Sequence, residues 1–182
     1  MIAIRVLTPT DADAYRALRL RGLAEHPDAF TSDYAQEEAK PPSALASRLA
    51  PPAEAPHDFV LGAFDGATLV GVVGFEIAPR KKIVHKGYVF GMFVPRERAG
   101  AGIGRALVAA LVTRARAIDG LAKIDLTVTA SNTAAKALYE HAGFVAWGVE
   151  RAAIVVDGTP YDKVYMTKWL SEAGERWLVA SD

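Results

Sequence analysis

Residues 91–111 read GMFVPRERAGAGIGRALVAAL, and this stretch decides the fold. The apolar run 91–94 stops at Pro95. Charged Arg96, Glu97 and Arg98 follow, then Gly100, Gly102 and Gly104 on alternate positions. Beyond the turn, Ile103, Leu107, Ala110, Leu111 and Ile118 recur at helical spacing. The pattern predicts a strand that feeds a glycine-rich turn, and a helix opened by that turn. A helix start carries unpaired backbone N–H groups and a partial positive charge. Glycine removes the Cβ atoms that would keep an anion away from them. Ala99, Gly100, Ala101, Gly102, Ile103, Gly104 and Arg105 therefore read as a diphosphate-binding loop.

Two common glycine-rich loops do not fit. A P-loop needs Lys and then Ser or Thr after its last glycine, but Gly104 is followed by Arg105 and Ala106. A dinucleotide fingerprint needs Gly-x-Gly-x-x-Gly; Arg105 or Leu107 falls where the third glycine should be. Residues 99–104 instead resemble the coenzyme A loop of the GCN5-related N-acetyltransferases, Gln/Arg-x-x-Gly-x-Gly/Ala. Gly102 and Gly104 match; Ala99 departs from the first position, with Arg98 one residue upstream. Residues 132–144, NTAAKALYEHAGF, resemble the other half of that family's signature, Asn-x-x-Ala-x-x-Leu-Tyr-x-x-x-Gly-Phe. The resemblance is specific over about residues 82–144 and generic outside them.

Read outward from there, residues 3–7 alternate as a strand. A helix capped by Thr10 or Asp11 should run to about Glu25, with Ala14, Tyr15 and Leu18 on one face and Arg16, Arg19 and Arg21 mostly elsewhere, read as a solvated face in preference to substrate binding. Residues 40–56 are rich in proline and alanine, with one short helix over 43–49, and read as a lid or mobile flank. Strands 59–64 and 69–77 meet at Asp65-Gly66, a hairpin signal. A third antiparallel strand should span about 83–94. Strand 123–129, helix 132–141 and strands 145–156 and 161–169 complete the order. One domain over 1–170 is expected, with 171–182 as a tail.

Helices interleaved with strands predict an α/β or α+β sandwich. The resemblance makes this a single domain with a mixed central sheet of about seven strands flanked by helices, splayed between strands 4 and 5. It also implies that the pantetheine arm of acetyl-CoA lies in the splay, against the backbone of the first of those strands.

Composition narrows the function. Half the chain is apolar (51%) and the formal net charge is zero, which favours a packed core and gives no support for a nucleic-acid or anionic-membrane partner. The absence of cysteine excludes a disulfide framework, a thiolate metal site and a cysteine nucleophile. The four histidines show no ligand spacing, so no metal is expected. No run of residues looks like a signal peptide or a membrane span, so a cytoplasmic monomer or homodimer is the expectation.

By resemblance, the activity is direct transfer of the acetyl group of acetyl-CoA to a primary amine through a ternary complex. A non-catalytic CoA-binding module of the same fold is the alternative. Backbone N–H groups at Met92, Phe93 and Val94 would polarise the thioester carbonyl. Tyr139 would protonate the leaving thiolate, since a phenol with a pKa of about 10 is still protonated at neutral pH. Tyr139 lies two helical turns after Asn132, which reads as a helix N-cap and, by resemblance, a cofactor contact. For the base that takes the amine's proton, Glu76 and His85 are the candidates. Phe30, Tyr34 and Tyr161 are expected around a small-molecule or peptide amine.

Overall fold

Two β-branched and aromatic runs, FVLGAF and LVGVVGFEI, form neighbouring strands buried on both faces. The computed structural model describes residues 2–50 and 56–170. The expected tail 171–182 and part of the proline-rich flank, 51–55, lie outside them.

The strands are β1 (Ile2–Val6), β2 (Phe59–Asp65), β3 (Thr68–Ile77), β4 (Lys86–Phe93), β5 (Lys123–Thr129), β6 (Val145–Val156) and β7 (Thr159–Trp169). The helices are α1 (Ala12–Glu25), α2 (Tyr34–Glu38), α3 (Pro42–Arg48), α4 (Ile103–Arg116) and α5 (Thr133–His141). The strands make one seven-stranded sheet in the order β1-β2-β3-β4-β5-β7-β6. Every neighbouring pair is antiparallel except β4 and β5, which are parallel and joined through α4. This is the expected mixed sheet.

Alternation along β2 divides the core into two layers. Phe59, Leu61 and Ala63 join a cluster with Ile103, Leu107 and Leu111 of α4 and with Phe144 and Met166. Val60 and Phe64 join Tyr15 and Leu18 of α1, Leu45 of α3 and Leu49 at its C-cap on the opposite face. A strand buried on both faces loses the polar alternation of an exposed sheet, which is why 59–64 reads as an unbroken apolar run.

The parallel pair holds only at its start. Lys86, Gly87 and Tyr88 face Lys123, Ile124 and Asp125; β4 then continues to Phe93 and β5 to Thr129 without shared register. The same region of β4 is bulged against β3, where Gly74 faces Phe90 but Val72 faces Phe93. Gly91 sits in that bulge at φ +61, a conformation glycine takes without a Cβ penalty. The bulge and the parting of β4 from β5 open a wedge in mid-sheet. The splay expected between strands 4 and 5 is present.

Local differences from the sequence reading have physical causes. Tyr34–Glu38 forms an additional helix, started by Asp33 Oδ1, which accepts from Gln36 N at 3.0 Å. β4 begins at Lys86 instead of near Ile83, because turn bonds Ile83 N to Arg80 O and Lys86 N to Ile83 O occupy that segment. Ala14 is exposed, whereas Tyr15 and Leu18 are buried as expected. Among the described residues, no helix is long and apolar enough to cross a membrane.

Candidate active site

Two cavities meet at the wedge. One, of about 620 Å³, runs from Met92 and Val94 of β4 past Ala99, Gly100, Gly102, Gly104 and Arg105 to α5. The other, of about 320 Å³, lies between α1, α2, α3 and the parted strands. Both are lined by Phe30, Met92, Asn132 and Ala135, so they share a wall at the splay.

The first cavity is built around the start of α4. Gly102 is its N-cap at φ +76, and the first intrahelical bond is Ala106 N to Gly102 O at 3.0 Å. No side chain caps the helix and no acidic residue stands in its first turn. The N–H groups of Ile103, Gly104 and Arg105 precede the first intrahelical donor and can receive an anion. The loop before them is pinned from outside. Arg21 forks onto Glu97 at 2.6 and 2.7 Å, and Arg98 Nη1 donates to Asp65 at 2.8 Å. An open, uncapped helix start on an anchored loop fits a diphosphate, and the groove beyond it leads to the wedge.

Asn132 Oδ1 caps α5 by accepting from Ala135 N at 3.0 Å. Its amide N–H groups, which capping does not use, belong to a side chain that lines both cavities. Two turns on, Tyr139 is buried to 6% exposure, its ring edge-on to Phe144 at 5.7 Å, and it lines the second cavity beside Leu126 and Val128. Burial pushes its pKa well above that of an ordinary phenol. The proton therefore stays on Tyr139 throughout the neutral and mildly alkaline range, as a proton donor requires.

That shift carries a stability consequence. The folded-state pKa lies above the unfolded value, so the contribution is complete below the unfolded pKa of about 10 and is lost as pH rises towards the folded value. Tyr15 is raised for the same main reason. Urea unfolding midpoints are expected to fall between about pH 9 and pH 11, and to fall less steeply in Tyr139→Phe. A midpoint flat over that range in the wild type would contradict the burial account.

The second cavity is polar where the first is glycine-rich. Arg19 of α1, read from the sequence as solvated, lies in its wall. Its Nη2 donates to Ser32 Oγ at 2.9 Å and its guanidinium covers the Phe30 ring at 4.9 Å. Glu37 is 7% exposed and takes Lys40 Nζ at 3.0 Å. Lys163 of β7 is 4% exposed and donates to Asp28 O, Ala29 O and Thr129 Oγ1 at 3.1, 2.9 and 2.8 Å. Those three bonds tie the loop after α1 to β5 and β7 and place Phe30 at the junction.

The structure thus brings Met92, Asn132, Tyr139 and Phe30 together with the loop residues Ala99, Gly100, Gly102, Ile103, Gly104 and Arg105. Phe93 and Val94 line the first cavity as well, though Phe93 packs chiefly into the α1 layer. Ala101 is exposed and lines neither cavity. Glu76 faces Arg48 at 3.6 Å in a neighbouring depression, away from the wedge. His85 stands in the turn before β4, its carbonyl accepting from Ala122 N at 2.9 Å and from Lys123 N at 3.2 Å, and it lines neither cavity. Tyr34 donates to Glu38 at 3.0 Å on the surface, and Tyr161, on the β6–β7 hairpin, also lies outside both linings. Arg19, Glu37 and Lys163 are the wall residues that sequence reasoning missed. Only Arg19 left a signal, its helical spacing from Tyr15 and Gly22.

Residues 21–144 match the model of the acetyltransferase (GNAT) family. The chain belongs to that family. GNAT members use acetyl-CoA, and the Salmonella typhimurium protein yncA, solved with its cofactor acetyl-CoA, shares this chain's fold at TM-score 0.76 and 19% identity, over 94% of this chain and 95% of its own. A GNAT acetyltransferase from Streptococcus pneumoniae matches at TM-score 0.84 and 25% identity, over 94% of this chain and all (100%) of its own. The mycothiol acetyltransferase of Salinispora arenicola is 34% identical over 148 residues, which cover 80% of this chain and 45% of that protein. This GNAT chain spans about half the length of the curated relatives it matches.

Proposed function

We propose that the chain is an acetyl-CoA-dependent N-acetyltransferase that moves the acetyl group directly to a primary amine within a ternary complex. The observation that carries this reading is the junction of the two cavities. One holds an uncapped helix start suited to a diphosphate, the other is bounded by Tyr139, and they meet where β4 leaves β5.

Acetyl-CoA supplies the activated acetyl group as a thioester. The N–H groups of Ile103, Gly104 and Arg105 hold its diphosphate. Asn132 and the free backbone edge of β4 at Met92, Phe93 and Val94 position the arm that leads to the wedge. A backbone N–H of that edge takes the carbonyl oxygen as the amine attacks. The new C–N bond forms, the C–S bond breaks, and Tyr139 Oη gives its proton to the departing sulfur. The amine's own proton leaves through water to Glu37, the carboxylate among the residues lining the acceptor cavity. Glu76 and His85 line neither cavity, so they are the weaker choices for that step. The tetrahedral centre never leaves the enzyme, and the absence of cysteine fits a route without a thioester on the protein.

In this reading residues 1–170 act as one domain, on a small-molecule or peptide amine. A balanced net charge gives no support for a nucleic-acid partner, and a monomer or homodimer in the cytoplasm completes the proposal. The decisive test is a thiol-release screen across amines, polyamines, aminoglycosides, amino acids and peptides. At least one acceptor should release free CoA in step with formation of its N-acetyl product. If acetyl-CoA binds yet no acceptor releases thiol, the chain is a non-catalytic CoA-binding module.

A further inference from the structure

The wall of the acceptor cavity is cationic although the chain as a whole is neutral. Arg19, Lys40, Arg48 and Lys163 line it, against the single carboxylate of Glu37. Lys40 is spent on Glu37 at 3.0 Å, and Arg48 faces Glu76 at 3.6 Å. Two charges are left without an ion pair among the described residues. Lys163 donates only to uncharged oxygens, and the Asp28 carboxylate acts on it through space. Arg19 keeps one amino group, Nη2, on Ser32. Its other, Nη1, is shut off from solvent and has no hydrogen-bond partner among the described residues.

The direction of Arg19 is fixed by its neighbours. Phe30 lies under the guanidinium, and a Cβ added at Gly91 would have Arg19 Nη1 as its nearest atom, at 3.7 Å. The guanidinium thus reaches the bulge of β4, at the point where the acceptor cavity opens onto the wedge. A buried N–H with no acceptor is costly, and a guanidinium is best satisfied by a planar or tetrahedral oxyanion, which the Arg19 head meets by turning Nη1 out of its closed position into the cavity it lines. A second cationic group on the ligand would meet the like charge of Arg19 and Lys163, offset only by Glu37, which is already paired with Lys40.

We infer that the acceptor amine carries an oxyanion, a carboxylate or a phosphate, and that Arg19, backed by Lys163, is the residue that selects it. The inference rests on the acyl-transfer reading for the amine's place near the wedge, and on the cavity wall for the anion. It favours amino acids, acidic peptide termini and aminoalkyl phosphates, and it disfavours polyamines and aminoglycosides.

The test is equilibrium binding to the protein saturated with CoA, measured by calorimetry, so that it does not depend on turnover. Alanine, methionine and glutamate are each compared with their α-amides, and O-phosphoethanolamine with ethanolamine. At least one anionic member should bind about tenfold to a hundredfold more tightly than its neutral counterpart. The amino-acid and phosphate arms identify which oxyanion is read. Arg19→Gln should erase the preference while leaving the weak affinity for the neutral member in place. The wild-type comparison stands even if Arg19→Gln does not fold, which thermal melting would reveal. Equal binding of acid and amide, preference for spermidine, or no binding by any anionic member would overturn the inference. Failure of thiol release alone would strike the acyl-transfer reading and leave the binding preference intact.

Discussion

Tyr139→Phe is expected to lower turnover by roughly a hundredfold or more, while acetyl-CoA affinity stays within a few-fold. The two halves of that expectation have separate causes. Phenylalanine fills the same space, so the edge-on packing against Phe144 at 5.7 Å survives and the wedge keeps its shape. Only the phenolic proton is removed, and with it the acid that meets the departing thiolate. Because burial already keeps Tyr139 protonated, the wild-type rate should show no fall on the alkaline side that traces to this residue below about pH 10. Steady-state thiol release gives the turnover, and calorimetry gives the affinity. An unchanged turnover would remove Tyr139 from the chemistry and leave it as a buried aromatic.

Gly104→Val and Gly102→Val are expected to abolish acetyl-CoA binding. At Gly104 an added Cβ would come within 3.2 Å of Met92 Cε and 3.3 Å of Leu138 Cδ2. Both are ends of flexible side chains that can yield a few tenths of an ångström, so the fold should stand while the branched side chain fills the groove. At Gly102 the space is open, but φ is +76, and a β-branched residue there forces the N-cap out of its left-handed conformation. The N–H groups of the first turn then no longer converge. Thermal melting close to wild type with lost calorimetric binding is the expected result for Gly104→Val. Intact affinity in both variants would count against the loop as the diphosphate site.

Much of the architecture was legible because strong local signals agree with the global fold. The switch from an apolar strand to glycines on alternate positions, and then to a 3.6-residue period, marked the end of β4, the loop and the start of α4 almost to the residue. Asp65-Gly66 marked the hairpin of β2 and β3. What escaped the sequence was mostly long-range. The splay was expected from the family resemblance alone; nothing local shows that β4 and β5 share register only through Tyr88 and Asp125, since splay is a property of two strands joined through a helix.

The acceptor wall was harder to read for a related reason. Arg19 lies four residues after Tyr15 and three before Gly22, a spacing that fits the inner face of α1 although the sequence reading set it elsewhere. The expectation that arginine faces solvent overrode that spacing. Its aliphatic stem and planar head let it lie on Phe30, half-buried, with its charge turned to the cavity. Glu37 belongs to a five-residue helix too short to show a period, and that helix packs against α1, a contact no local pattern announces. Lys163 sits in an alternating strand where a lysine normally points outward; three oxygen acceptors from distant segments compensate its burial.

The central claim is that the backbone at the start of α4 holds the diphosphate of acetyl-CoA. A crystal structure of this protein grown with CoA tests it most directly. The account predicts the diphosphate within hydrogen-bonding distance of the N–H groups of Ile103, Gly104 and Arg105, with the thiol arm entering the wedge between β4 and β5. CoA bound elsewhere, with that helix start left to solvent, would contradict it.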